Sequence, residues 1–128
     1  MKTRILISAM LAASLAACES APMKSLQQLF QSSPGYGSLR DGLRQYDDGA
    51  YADSAKSLNG ALEQGLNDPE RADAHKHLAF IHCASSRERS CREEFRKALA
   101  ADPAMELAPA EVGHPIWGPV FKSVKAGR

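Results

Sequence analysis

The run Ala74-His75-Lys76-His77-Leu78-Ala79-Phe80-Ile81-His82-Cys83, then Ser85-Ser86, then Cys91, Phe95, Ala98, Leu99 and Asp102-Pro103, decides the fold. Ala74, Leu78, Ala79, Ile81 and His82 recur at helical spacing, so a helix starts near Glu70 and carries them on its inward side. Ser85-Ser86 breaks it. Cys91, Phe95, Ala98 and Leu99 repeat the pattern in a following helix, and Asp102-Pro103 stops that one, because proline has no N–H to continue the ladder.

Moving outward toward the N-terminus, the same unit occurs again. Leu39, Gly42, Leu43 and Tyr46 lie on one face of a helix, which Asp47-Asp48-Gly49 ends. Tyr51, Ala55, Leu58, Ala61 and Leu62 form the inward face of the next helix, stopped by Gly65 and the turn Asn67-Asp68-Pro69. The chain is therefore all-α, with two copies of a helix–turn–helix unit over residues 38–103.

The second copy resembles the tetratricopeptide repeat. Leu78-Ala79 stand at that family's leucine–small pair, Cys91 at its small position, Phe95 at its aromatic, Ala98 at its alanine and Pro103 at its proline. His75 and His82 stand where bulky first-helix residues sit. The first copy matches through Gly49, Tyr51, Ser54 or Ala55, Leu58 and Ala61-Leu62. Leu58 and Phe95 are 37 residues apart, against about 34 in the family, so the loop between copies is longer. A lone hairpin cannot bury its apolar side, so such units stack, and two are few. The family binds peptides or subunits on its concave helix surface. By that resemblance, Arg40, Arg44, His75 and His82 are candidate partner-binding residues.

Residues 104–128 depart from the repeat and are expected to cap it. Pro115 and Pro119 bracket the only tryptophan, Trp117. A short helix starting at either proline would run through Phe121 and Val124. Ile116, Trp117, Val120 and Phe121 are expected to cover the last repeat helix. Trp117 is also a candidate for an aromatic patch that docks a partner.

The N-terminus reads as an export signal. Lys2 and Arg4 precede an uncharged run from Ile5 to Ala17, too short for a stable membrane span. Leu15-Ala16-Ala17-Cys18 resembles the bacterial lipobox. That resemblance implies a signal peptide over residues 1–17 and a lipidated N-terminus and tether over 18–37. Cys18 would carry covalent diacylglycerol and an acyl chain, giving a palmitate-type membrane anchor. Met23, Leu26, Leu29 and Phe30 allow a short helix within the tether. Glu19 stands where an inner-membrane retention signal has aspartate, so the expected location is the cell envelope, as an outer-membrane lipoprotein facing the periplasm.

With Cys18 assigned, Cys83 and Cys91 are left as a pair: a disulfide, sensible in an oxidising compartment, or two buried thiols. Two of the chain's 16 basic residues, Lys2 and Arg4, leave with the signal, so 14 face 15 acidic ones. Such a balance lacks the basic excess of a nucleic-acid binder. No phosphate-cradling glycine loop, nucleophile elbow or paired-carboxylate motif occurs. His75 and His82 are seven apart and share a helix face while His77 points elsewhere, so a metal site would need a further ligand from another segment, such as His114. Adjacent residues on a helix diverge by about 100°, so His82 and Cys83 make a poor catalytic pair. The expectation is no enzyme, no metal and no cofactor beyond the lipid.

A narrower resemblance rests on residues 74–83, Cys91, the Phe95–Pro103 stretch and Gly113-His114-Pro115-Ile116-Trp117-Gly118-Pro119-Val120. These look like the small lipoproteins associated with type VI secretion clusters (the TssQ type). The resemblance implies a lipid-anchored adaptor whose protein partners are envelope secretion-system components. The alternative reading is a pilotin-like assembly lipoprotein for another secretion or pilus system.

Overall fold

The computed structural model describes residues 32–127. The signal segment, Cys18 and the helix expected within the tether lie outside the described residues. Six helices follow in order: α1 (Tyr36–Asp47), α2 (Tyr51–Gln64), α3 (Asp68–Ala84), α4 (Glu88–Ala101), α5 (Pro109–Val112) and α6 (Trp117–Ala126). There is no strand among the described residues. The fold is all-α, with two tetratricopeptide-like hairpins and a C-terminal capping helix.

Small residues set the approach of α1 to α2. A Cβ on Gly42 would stand 2.8 Å from the Leu58 side chain, and Leu58 is fully buried. The Ser54 hydroxyl, also fully buried, donates to the Gly42 carbonyl at 2.7 Å. The chain enters α1 already packed on this hairpin. The Gly35 N–H donates to the Gly65 carbonyl at 2.9 Å, and a Cβ on Gly35 would strike the Ala61 carbonyl oxygen.

The start of α3 is two residues earlier than the sequence suggests. Asn67 caps it: its side chain accepts from the Glu70 N–H (3.0 Å), and the Glu70 carboxylate accepts from the Asn67 N–H (3.1 Å). Pro69 falls in the first turn, where no N–H is needed. α4 runs antiparallel to α3, since His75 meets Glu94 at one end and Cys83 is joined to Cys91 at the other. α6 is antiparallel to α4, with the Phe95 and Phe121 rings 5.2 Å apart and Arg92 donating to the Ser123 hydroxyl. It is therefore parallel to α3, and it packs on α3 and α4 as α3 packs on α1 and α2. α6 holds the place of the first helix of a third hairpin.

The core divides on either side of α3. Ala74, Leu78 and Ile81 pack with Leu39, Leu58 and Ala61 of the first hairpin. Ala79, Phe80 and Cys83 pack with Phe95, Leu99, Met105, Leu107, Phe121 and Val124. Val120 and Phe121 bury as expected and Trp117 does so in part, but Ile116 does not. It precedes the first helical turn and stays 48 % exposed. α5 was not legible in the sequence. It seats on α6 through Gly118, where a Cβ would lie 2.4 Å from the Val112 carbonyl oxygen. No described helix is long and apolar enough to cross a membrane.

Candidate partner-binding face

First helices touch one another in this array, α1 to α3 and α3 to α6, whereas the second helices α2 and α4 do not meet. The array thus fans open on the α2/α4 side, and α1, α3 and α6 line the inner, concave side. A strip of ring contacts crosses that side, with its middle member, Phe80, buried in the core. Tyr46 of α1 sits edge-on to His77 of α3, with centroids 5.1 Å apart. His77 lies 5.6 Å from Phe80, and Phe80 stacks on Trp117 of α6 at 4.6 Å. His114 also stacks on the indole. Tyr51, 45 % exposed, extends the strip beyond Tyr46.

Charges are fixed along it. Lys76 lies 3.2 Å from the Glu111 carboxylate of α5 and 3.5 Å from Asp73. His77 Nδ1 donates to the Asp73 carbonyl at 2.9 Å, which sets its tautomer, and faces the Asp73 carboxylate at 3.2 Å. Burial pushes the Asp73 carboxyl up, but the bonds from His77 and Lys76 outweigh it and hold the group below its ordinary value. Burial, with Tyr51 and Glu111 nearby, pushes the Tyr46 hydroxyl up to about 12. The Trp117 indole N–H donates to the Glu111 carbonyl at 3.0 Å and so ties α5 to α6. Partly buried rings with oriented polar edges, here Tyr46 and Trp117, suit peptide contact, since each gives large area at little rotamer cost.

Of the residues singled out in the sequence, Trp117 belongs to this strip. Arg40 and Arg44 are exposed on α1, where Arg44 pairs with Asp41 at 3.0 Å. His75 and His82 are placed elsewhere: both turn toward α4 rather than onto the inner face. His75 bonds Glu94 at 2.6 Å, with both side chains almost covered. Burial and then Arg87 hold the His82 imidazole below its ordinary pKa, and its Nδ1 is buried without a partner among the described residues. α3 is buried on several sides, so spacing alone could not say which histidines faced inward. Tyr46, His77 and Phe80 are the members the sequence reading missed. Their signal was the set Asp73, His77 and Phe80 at one helical face. Cys83 and Cys91 form a disulfide at the far end of the α3–α4 hairpin. Among the described residues no group of three metal-binding side chains comes together.

Fold and face together define a tetratricopeptide-like helical-repeat protein. The chain is similar to the photosystem I assembly protein Ycf3 of Synechococcus sp. (strain CC9605), with 30 % identity over 90 residues, or 69 % of this chain and 52 % of that protein. It is also similar to the protein of the same name from Parasynechococcus marenigrum (strain WH8102), with 32 % identity over 69 residues, 54 % of this chain and 40 % of that one. The chain spans about half the length of the curated relatives it matches. No protein-family model and no solved structure matches it. These relatives support the repeat reading and correct another. The expected location, an outer-membrane lipoprotein facing the periplasm, is overturned, because the matched proteins are photosystem I assembly proteins of cyanobacteria.

Proposed function

We propose that this chain is a non-enzymatic assembly factor that binds a protein partner on its inner face and is held at a membrane by lipid on Cys18. The observation that carries the reading is the strip Tyr46–His77–Phe80–Trp117, which spans all three inner helices and is partly exposed at Tyr46 and Trp117, with His77 and Phe80 mostly covered between them. The assembly role in the relatives' name supports it. The ionisable groups argue against chemistry, since His75 and Glu94 are engaged in a bond that ties α3 to α4, and Asp73 and His77 bond each other within α3. The finer reading is an accessory of a type VI secretion machine, supported by the resemblance carried by residues 74–83, Cys91 and 113–120.

A photo-crosslinking amino acid at Tyr46 or, as control, at Lys56 on α2 tests this in cells. A partner band from position 46 that His77→Ala and Trp117→Ala remove, and that position 56 does not give, is the expected outcome. Equal capture from both positions would refute inner-face binding. The finer reading requires the captured protein to be a type VI secretion component. For the anchor, metabolic labelling with a palmitate analogue should mark the chain and fail in Cys18→Ser.

A further inference from the structure

α3 and α6 are parallel and occupy the same place in successive units, so their faces can be compared. On α3, Ala74, Leu78 and Ile81 face the preceding hairpin. Roughly a third of a turn further round the helix, His75, Ala79 and Cys83 face α4. On α6, Val120, Phe121 and Val124 face the preceding hairpin. The same rotation in the same sense leads to Gly118, Lys122, Lys125 and Ala126. Those four residues line the groove of about 740 Å³ that α6 forms with the segment before it. The groove therefore lies where the second helix of a third hairpin would pack. No described helix lies on it, and Val112 on its wall is 55 % exposed.

We infer that this groove is a second docking site, and that its occupant is an acidic amphipathic helix of a partner protein, which completes the third hairpin. Two observations choose that occupant. The first is continuity with the packing already present. α4 lies on α3 through Cys91, Phe95, Ala98 and Leu99 and contributes the carboxylate, Glu94, to a base on the first helix, His75. The second is charge. Lys122 and Lys125 border the groove against one acid, Glu106, which Lys125 already engages. Lys122 has no ion pair among the described residues and is exposed. A second copy of this chain suits the groove poorly. The apolar sides of α1 to α4 are already spent in the core, and α6 itself would bring lysines against lysines. The groove meets the end of the aromatic strip at His114, but Lys122, Lys125 and Ala126 belong to the groove alone, so it stands or falls separately from the inner-face reading.

Two side-chain-stapled helical peptides serve as probes. Both repeat the apolar spacing of Cys91, Phe95, Ala98 and Leu99, with serine for cysteine. One carries glutamate at every other position and the other carries lysine. Stapling is needed because helices this short are marginal alone in water. Fluorescence anisotropy with the full processed chain should show the glutamate peptide binding about tenfold tighter than the lysine peptide. Lys122→Glu should weaken the glutamate peptide about fivefold and strengthen the other. Amide NMR shifts should centre on Val112, Lys122 and Ala126. The inference is overturned by equal affinity for the two peptides, by no binding of either, or by indifference to Lys122→Glu. Shifts centred on Tyr46 and Phe80 would also overturn it. Self-association of the chain that Ala126→Trp abolishes would make the occupant a second copy and would likewise refute it.

Discussion

The first hairpin turns at Gly49, whose φ of +76° suits glycine, while the second turns at Ser86, a side-chain-bearing residue held at +59°. The first is drawn together by a missing side chain, Gly42 against Leu58, and by one buried hydroxyl bond from Ser54. The second is joined by a disulfide at its turn end and by the His75–Glu94 bond further along. The surroundings differ too. The second hairpin is packed from both directions, by the first hairpin through α3 and by α6, whereas α1 and α2 lean only on α3 among the described residues. The pairing teaches that one helical-repeat shape can be closed by steric fit or by specific bonds. The bonded version accommodates an unfavourable turn that the fitted version lacks.

The largest expected effect tests the covalent part of that contrast. The disulfide closes a loop of eight residues' separation, and its loss should destabilise the domain by about 2–3 kcal/mol on the loop-entropy account. Cys83→Ser/Cys91→Ser should show a lower urea midpoint than wild type, and reductant should lower only the wild-type midpoint. Cys91 is fully buried and Cys83 nearly so, so reduction should follow local opening rather than precede it. Equal midpoints would mean that α6 and the first hairpin hold the second hairpin unaided.

The His75–Glu94 bond comes next, and the sign of its pH dependence is set by Glu94. Burial pushes that carboxyl up, but hydrogen bonds from His75 and Lys97 outweigh it and hold it below its ordinary value of 4.5. A carboxyl with a lowered folded pKa adds stability above its unfolded value, and that stability is lost as pH falls through the folded one. Glu94→Gln should therefore flatten the loss of stability in the acid range below about 4.5. Asp73, lowered in the same direction, should leave part of the slope. Thermal melts across that range check it, and an unchanged slope would remove the bond from the account.

The sequence carried the four repeat helices because each had an apolar stripe and a clear stop, as in Gly49, the Asn67–Pro69 turn and Asp102-Pro103. It also carried the burial of Val120 and Phe121. It did not carry the inner face. α3 is covered by the first hairpin, by α4 and by α6, so its apolar residues nearly encircle it and no single stripe shows which way His75, His77 and His82 point. α5 is a single turn, too short to have a period, and its place is fixed by contact with Gly118 and Trp117 and by the Lys76–Glu111 pair. The cysteine pair was visible as chemistry, whereas its bonding needed the antiparallel register of α3 and α4.

A smaller effect probes the steric closure of the first hairpin. Gly42→Ala would place a methyl against fully buried Leu58. Overpacking should outweigh the helix-propensity gain from alanine and leave a net loss of about 1 kcal/mol. Gly37, in the same helix with nothing within 4 Å of a built Cβ, is the control: Gly37→Ala should stabilise by roughly 0.5 kcal/mol. If both substitutions stabilised, α1 and α2 would be able to move apart and the fit would not be what closes them.

The smallest effect exchanges the two turns. A left-handed backbone costs a residue with a Cβ about 1 kcal/mol, and glycine escapes that cost but loses more freedom on folding. Ser86→Gly should therefore stabilise only slightly, by about 0.5 kcal/mol, while Gly49→Ser should destabilise by a similar or larger amount. Ser86 lies inside the loop that the Cys83–Cys91 bond closes. The bond already narrows the unfolded ensemble of that loop, so glycine there has less extra freedom to lose in the oxidised protein than in the reduced one. The gain from Ser86→Gly should accordingly be larger with the disulfide intact. Urea midpoints at unchanged slope, measured oxidised and reduced, separate the two cases. A gain that is the same in both would show that the turn and the disulfide act independently, and that the strained turn persists for a reason other than the bond beside it.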